Sequence, residues 1–348
     1  MEKENNTQPK TISVVILNWN TQNLLQKFLP VVIKNSNFPN VEIIVADNGS
    51  TDNSVEWIQH NFPQVKIIKF PVNYGFSEGY NRALASITSD FSVLLNSDVA
   101  PCNEWLEPLL EIMTDNSKVA AVVPKIKDYN SPTMFEYAGA AGGFIDRFGY
   151  TFCRGRIFDV LEKDEGQYDK EKQIFWGSGA ALMVNTELFN STGGLDKDFF
   201  AHMEEIDWCW RMKNMGYEII FTPKSEVFHL GGGTLPYNNA NKSFLNYRNN
   251  LFLLIKNRHG LKGWIIIWIR MILDNISLIK FLFSGNFLVV KSIILAHFAF
   301  LKKMPIFIKK RKILRYSLLK KEHAEIYKGS IVFDFFIRKK KRFKEIKF

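Results

Sequence analysis

The stretch VEIIVADNGSTDNS, residues 41–54, reads as one short buried strand that runs straight into a polar turn and a helix start. Residues 41–46 are apolar and β-branched apart from Glu42 and Ala46, the pattern of a strand covered on both faces. Asp47-Asn48-Gly49-Ser50 ends it, and Thr51-Asp52-Asn53-Ser54 supplies N-cap residue types for a helix to about Asn61. The unit recurs on either side. Residues 11–18 (TISVVILN) form a strand followed by Trp19-Asn20-Thr21 and a helix to about Asn35. Residues 65–70, 91–95 and 119–123 read as further strands, with helices over 76–87 and 103–114. This alternation predicts a parallel α/β sheet with right-handed crossovers over the first 125 residues. Ligands of such sheets bind beyond the carboxyl ends of the strands. Polar clusters stand at three of those ends: Asn18-Trp19-Asn20, Asp47-Asn48-Gly49 and Asn96-Ser97-Asp98.

Residues 129–173, rich in Gly, Phe and Asp, suggest hairpins and a mobile loop. Residues 174–184 (IFWGSGAALMV) read as a buried strand, 205–215 as a helix, and 217–222 and 226–229 as strands. From residue 241 the character changes. Three apolar stretches, 244–256, 264–283 and 287–301, are interrupted by Arg270, Asp274, Lys280 and Lys291. Without a window of about 20 uncharged apolar residues, helices lying in a membrane surface fit better than helices spanning it. The division expected is a flexible N-terminus over 1–10, an α/β domain over 11–240 and an amphipathic, basic helical region over 241–348.

The net charge of +10 sits in the tail: residues 302–348 hold 17 Lys and Arg against four Asp and Glu, and the rest is mildly acidic. Positive charge beside apolar helices favours an anionic membrane surface over nucleic acid. A helical subdomain that packs on the rest, or that forms a homodimer, is the alternative use of the same residues. Three cysteines without a CxxC pair argue against a disulfide framework or zinc site and for a reducing compartment. The polar residues 1–10 do not read as a signal peptide, so the expected location is cytoplasmic, peripheral on the inner face of the cell membrane.

Five motifs in order, VVILNWN, DNGSTDNS, NYGFSEGYNRAL, LLNSDV, and GGLDKDFFAHMEEIDWCWRMKNMGY with Phe228-His229, resemble glycosyltransferase family 2. The resemblance covers about residues 11–233. It implies the GT-A fold, a Rossmann-like mixed sheet flanked by helices, here with a C-terminal helical, membrane-associating extension. Within the family the pattern is similar to the rhamnosyltransferase-like branch that builds bacterial surface polysaccharides. The implied activity is inverting transfer of a sugar, rhamnose in that branch, from a dTDP- or UDP-sugar to a hydroxyl of a glycan or polyprenyl-linked acceptor. Two other readings use the same architecture. A sugar-1-phosphate nucleotidyltransferase would need a Gly-rich basic loop after the first strand, where this chain has Asn18-Trp19-Asn20-Thr21-Gln22-Asn23. An inactive membrane-associated scaffold would not need Asp47, Asp98 and Glu205 together.

Carried over residue by residue, the resemblance implies that Asn18 and Asn20 border the nucleotide pocket and that Asp47 reads the base. Asn73, Gly75, Gly79 and Asn81 match the loop and helix start that pass near ribose and diphosphate. Asn96-Ser97-Asp98 stands where many members have Asp-x-Asp, so Asp98 would be the principal ligand of a divalent cation, Mg2+ or Mn2+, with Asn96 nearer the ribose. His229, before Gly231-Gly232-Gly233, resembles a further metal ligand and would favour Mn2+. Glu205 matches the catalytic base, with Glu204 its competitor, while Asp207 and Arg211, four apart on a helix, suit an intrahelical ion pair. Trp176 would stack on a sugar or fill the core, and Asp196 would touch sugar hydroxyls.

Overall fold

A computed structural model describes residues 9–231 and 240–348. Most of the N-terminal segment expected to be flexible, and Gly232 and Gly233, lie outside the described residues. The first half alternates as read: β1 (Ile12–Asn18), α1 (Gln22–Asn35), β2 (Val41–Asp47), α2 (Ser54–Asn61), β3 (Lys66–Lys69), α3 (Gly75–Ala85), β4 (Phe91–Leu95), β5 (Val99–Pro101), α4 (Glu107–Asp115) and β6 (Val119–Asp128). Short strands follow, β7 (Gly143–Asp146), β8 (Thr151–Cys153), β9 (Arg156–Ile157) and β10 (Val160–Leu161). Then come β11 (Lys172–Ile174), β12 (Ala181–Asn185), α5 (Thr186–Ser191), α6 (Glu204–Asn214) and β13 (Glu218–His229). The chain ends in α7 (Ala240–Asn257), α8 (Leu261–Phe283), α9 (Phe287–Leu314), β14 (Ile326–Tyr327) and α10 (Ile331–Phe336).

The main sheet is mixed, in the order β11-β13-β6-β12-β4-β1-β2-β3, with β5 added to β13. β3, β2, β1 and β4 are parallel, and β12 runs antiparallel between β4 and β6. Side chains alternate across this layer. Val14 and Ile16 of β1 pack with Leu25 and Leu29 of α1, whereas Val15 faces Tyr80 and Leu84 of α3. Both faces are therefore buried, which is why the strands read as near-continuous apolar runs.

Three expectations are corrected. β6 is not the next neighbour of β4, because β12, some 60 residues later, inserts between them. The run 174–184 is two strands, β11 and β12, parted by the glycine-rich turn Gly177-Ser178-Gly179, which has no ladder partner of its own. Residues 217–222 and 226–229 belong to one long strand, β13, whose register shifts between Phe221 and Glu226.

A second sheet, β10-β9-β8-β7-β14, is closed by the C-terminal segment through β14 on β7. Phe343 and Phe348 pack there against Phe144 and Phe152. α7 lies between α9 and the main domain, and buried charges join them. Lys256 of α7 meets Asp196 at 2.6 Å and Asp207 of α6 at 2.7 Å. The expected Asp207–Arg211 pair also forms, at 3.0 Å. Lys310 of α9 reaches both Asp196 and Asp198.

Among the described residues no helix is long and apolar enough to cross a membrane. α8 is inverted relative to an ordinary surface helix. Two of its charges face inward, Arg270 and Asp274 being buried and paired at 2.8 Å, while Leu261, Ile265, Trp268, Ile272, Ile276 and Phe283 are exposed along with Lys262 and Lys280.

Because Lys256 neutralises two buried carboxylates, Lys256→Met would leave both short of a partner. A loss of about 3–5 kcal/mol is expected, read by urea unfolding of the full chain.

Candidate active site

The strands β1, β2 and β4 deliver their polar ends to one cleft of about 1170 Å³. Trp19, Asn48, Asn73 and Gly75 line its near wall, and Asn96, Asp98, His229, Glu204 and Glu205 line its floor and far side. Asn18, Asn20 and Asp47 stand behind that wall. The Asn18 amide donates to Asp47 Oδ1 (2.9 Å) and to the hydroxyls of Ser50 (3.1 Å) and Ser54 (2.8 Å), so it is fully engaged and shapes the turn. Asp47 also accepts from the Ser50 N–H at 3.2 Å. Asn20, with φ of 54°, accepts from the Thr51 and Asp52 N–H groups at 2.7 and 3.3 Å.

Asn48, which the sequence reading passed over as a turn residue, is the hinge of the next loop. Its amide donates to Asn73 Oδ1 (2.9 Å) and its carbonyl accepts from the Tyr74 N–H (3.0 Å). Gly75 follows with φ of +80°, and a Cβ there would lie 2.7 Å from the Phe200 ring. Only glycine suits that position. Gly79 is a packing glycine, its missing Cβ space filled by Leu17 and Asn48.

Two expected ligand contacts are corrected, and a third, left open by the sequence, is decided. Asn81 is tied to the backbone of Leu195 in both directions, at 2.7 and 2.8 Å, and does not line the cleft. Of the two readings of Trp176 the structure shows the core one: it is buried, its indole N–H donates to the Phe144 carbonyl at 2.9 Å, and no ring face is open to a sugar. Asp196 belongs to the lysine network; burial pushes its carboxyl up, but Lys256 and Lys310 hold it well below the ordinary carboxylate range. The first-turn N–H groups of α3 do not stand open to a diphosphate either, since those of Phe76 and Ser77 point at the Phe200 carbonyl.

Asp98 and His229 meet where β5 pairs with β13. His229 Nε2 is 3.1 Å from Asp98 Oδ1, and its Nδ1 is 3.4 Å from Glu136. Glu136, in the segment read as irregular, carried no motif signal. Burial opposes charging of His229, but the two carboxylates push it up to about 10. A carboxylate and an imidazole this close would suit a divalent cation such as Mn2+, whose binding would displace the His229 proton. Among the described residues no group of three or more His, Cys, Asp or Glu forms a metal cage. Asp98 and His229 would be the residues to hold the ion.

Glu204 and Glu205 open α6. One oxygen of each carboxyl lacks a hydrogen-bond partner. Burial raises Glu204 well above its ordinary value, and neighbouring Glu205 adds to this. Burial likewise raises Glu205, to about 7, against the pull of its own and Ile206's N–H groups. The backbone before them is strained: Phe200, His202 and Met203 have φ of 68°, 68° and 73°. Such non-glycine conformations cost about 1–3 kcal/mol each and persist only where surroundings enforce them.

Residues 13–165 match the family model for glycosyl transferase family 2. Over those residues the chain is similar to a family 2 glycosyltransferase domain. An N-acetylglucosaminyl-diphospho-decaprenol L-rhamnosyltransferase of Mycobacterium tuberculosis is 22% identical over 267 residues, covering 73% of this chain and 86% of that protein. A pre-mycofactocin glycosyltransferase of the same organism is 26% identical over 195 residues, 54% of this chain and 37% of its own length. Among solved structures, GalNAc-T7 with UDP, GalNAc and Mn2+ aligns with a TM-score of 0.56 at 16% identity over 72% of this chain, which spans only 48% of that one. The mannosyltransferase PcManGT of Pyrobaculum calidifontis, with GDP-Man and Mn2+, gives 0.52 at 14% identity, covering 90% and 88% of the two chains. These likenesses show the GT-A fold.

The glutamate pair has a pH signature. Both carboxyls titrate above their value of about 4.5 in the unfolded chain, so the folded state keeps protons that the unfolded chain has lost. Stability therefore falls as pH rises from about 4.5 through about 7. Glu204→Gln should raise Tm by about 2 °C or more at pH 8 and leave it unchanged at pH 4, as thermal scans would show.

Proposed function

We propose that this family 2 glycosyltransferase moves a sugar, rhamnose in the first instance, from a nucleoside-diphosphate sugar to a hydroxyl of a lipid-linked or polysaccharide acceptor, with inversion at the anomeric carbon. The observation that carries the reading is that Asp98, His229 and Glu205 open on one cleft. The donor and acceptor classes take their support from the mycobacterial rhamnosyltransferase, whose name specifies a diphospho-decaprenol glycan. dTDP- and UDP-sugars are the donors to try first.

Glu205, with a carboxylate oxygen lacking a partner, accepts the proton of the acceptor hydroxyl as that oxygen bonds to the anomeric carbon. The bond to the diphosphate breaks on the opposite face, so no glycosyl-enzyme forms. Asn96 and Asn73 line the cleft near Asp98 and suit ribose and phosphate oxygens. A Mg2+ or Mn2+ ion, when bound, would neutralise the charge that grows on the departing diphosphate. Asp98 orients that cation site, and Phe200 and Trp19, both about half exposed, wall the cleft against water.

We also propose that the apolar outer face of α8 and α9 rests on an anionic membrane, with the cleft facing the cytoplasm. Ile265, Trp268, Ile272 and Ile276 recur at the spacing of one helix face, and Phe287, Leu288 and Phe298 of α9 extend it. Lys291 lies on the adjoining α9, where basic residues near an anionic leaflet add about 1 kcal/mol each.

Two measurements test these readings. Glu205→Gln should lower kcat about 10²- to 10⁴-fold with the donor KM little changed, and wild-type kcat should rise with pH through about 7. Retention at the anomeric carbon by NMR would sink the displacement. For the membrane, the full chain should float with phosphatidylglycerol vesicles and Trp268→Asp/Ile272→Asp should not; equal flotation, or loss of dimers in the double variant without loss of lipid binding, removes the membrane assignment.

A further inference from the structure

We infer that Asn249, on α7, is the positioning residue for the general base: it clamps the strained loop that delivers Glu205 to the cleft. The inference rests on the proposed role of Glu205.

The loop runs from Phe199 to Met203. Phe200, with φ 68° and ψ −60°, is the centre of a γ-turn of the rare positive-φ kind, closed by the Ala201 N–H on the Phe199 carbonyl at 2.9 Å. His202 and Met203 follow in positive φ, and Met203 is the residue from which α6 starts. A chain with three such residues in four turns its carbonyls inward, away from water. Each of those carbonyls has a donor. The Asn249 side-chain amide reaches Phe199 at 3.0 Å, Ala201 at 2.8 Å and His202 at 2.7 Å. The other two are Phe200, which accepts from the Phe76 N–H at 3.1 Å, and Met203, which accepts from the Asp207 N–H at 2.9 Å.

An Asn amide has two hydrogens, so three acceptors share them; Phe199 also accepts from the Ala201 N–H and Arg248, while Ala201 and His202 take this donor from a single fully buried side chain. The amide is itself oriented: Arg248 Nε donates to Asn249 Oδ1 at 2.9 Å while Arg248 Nη2 supports the Phe199 carbonyl at 2.9 Å. No other residue type offers two amide hydrogens on so short a stem. Aspartate would set oxygens against three carbonyls, and alanine would take from the Ala201 and His202 carbonyls the donor that Asn249 supplies. The strain held in the loop would then relax, and Glu204 and Glu205, two and three residues beyond His202, would shift relative to Asp98. A displacement of about 1 Å is enough to cost a large factor in rate.

The test uses the full chain with Asn249→Ala, Asn249→Asp and, as a control for plain destabilisation of the same helix, Leu253→Ala. Hydrogen exchange should quicken at least tenfold in residues 200–206 of both Asn249 variants and stay unchanged in β1 and β4. With a dTDP- or UDP-sugar donor, kcat should fall about 10- to 100-fold, donor KM should stay within twofold, and the rise of kcat with pH should move away from about 7 by at least half a unit. Unchanged exchange in 200–206, or the same kcat and pH response in Leu253→Ala, would overturn the clamp. A wild-type chain that turns over no donor would count against the proposed function alone, and the exchange result would still decide the clamp.

Discussion

Asp207 is wholly buried, and the catalytic half of the molecule is arranged around keeping its charge satisfied. A buried carboxylate without partners is too costly to persist. Asp207 has Arg211 on its own helix and Lys256 and Asn257 on α7. Lys256 also reaches back to Asp196. One ammonium thus grips α7 to both ends of a twelve-residue span, from Asp196 to Asp207, and the strained loop is the middle of that span. Asn249 is seven residues before Lys256, two helical turns along, so the residues that hold the ends and the apex share a face of α7. The ion pairs set where the loop sits, and the amide sets its shape.

This explains how a helix start can carry a carboxyl raised to about 7. A helix N-terminus favours negative charge and would lower an acid placed there. Burial wins for Glu205, and Glu204 is pushed further by its neighbour. Two adjacent glutamates stripped of water strain a fold, and that strain is offset outside the cleft, by the lysine network and the packed faces of α7 and α9.

The strand ends were legible because their signals are local. An apolar run stopped by Asn-Trp-Asn, by Asp-Asn-Gly or by Asn-Ser-Asp declares both the strand and the edge where ligands gather. Motif order then pointed to Asp98, Glu205 and His229, and these line one cleft. What was not legible is direction and distance. Trp176 and Asp196 have the chemistry of sugar contacts, yet one turns into the core toward Phe144 and the other into a lysine pair. Glu136 and Asn249 have no local signal at all, being defined by partners 93 and 47 or more residues away. β12 likewise inserts between β4 and β6 through pairings that no window of sequence contains. α8 shows the same limit in another form. Arg270 and Asp274 read as interruptions of an apolar stretch, but they are its buried face, and the apolar residues are what it exposes.

That inversion joins the two halves of the functional reading. A helix that buries an ion pair and exposes isoleucines is unfavourable in water, since apolar surface costs about 25 cal/mol per Å² to leave exposed. It becomes favourable against lipid. α8 does not stop at its outer face: Leu273, Ser277, Lys280 and Phe281 line the cleft, and Ile276 stands at the border of the two. The helix that would meet the bilayer is therefore a wall of the chamber that holds Glu205, and α7, packed against α8, grips the loop that carries it. Under the membrane reading, an acceptor with a lipid tail would enter along α8 with its sugar leading, and the cleft would be oriented toward it by the same helices that shape the base.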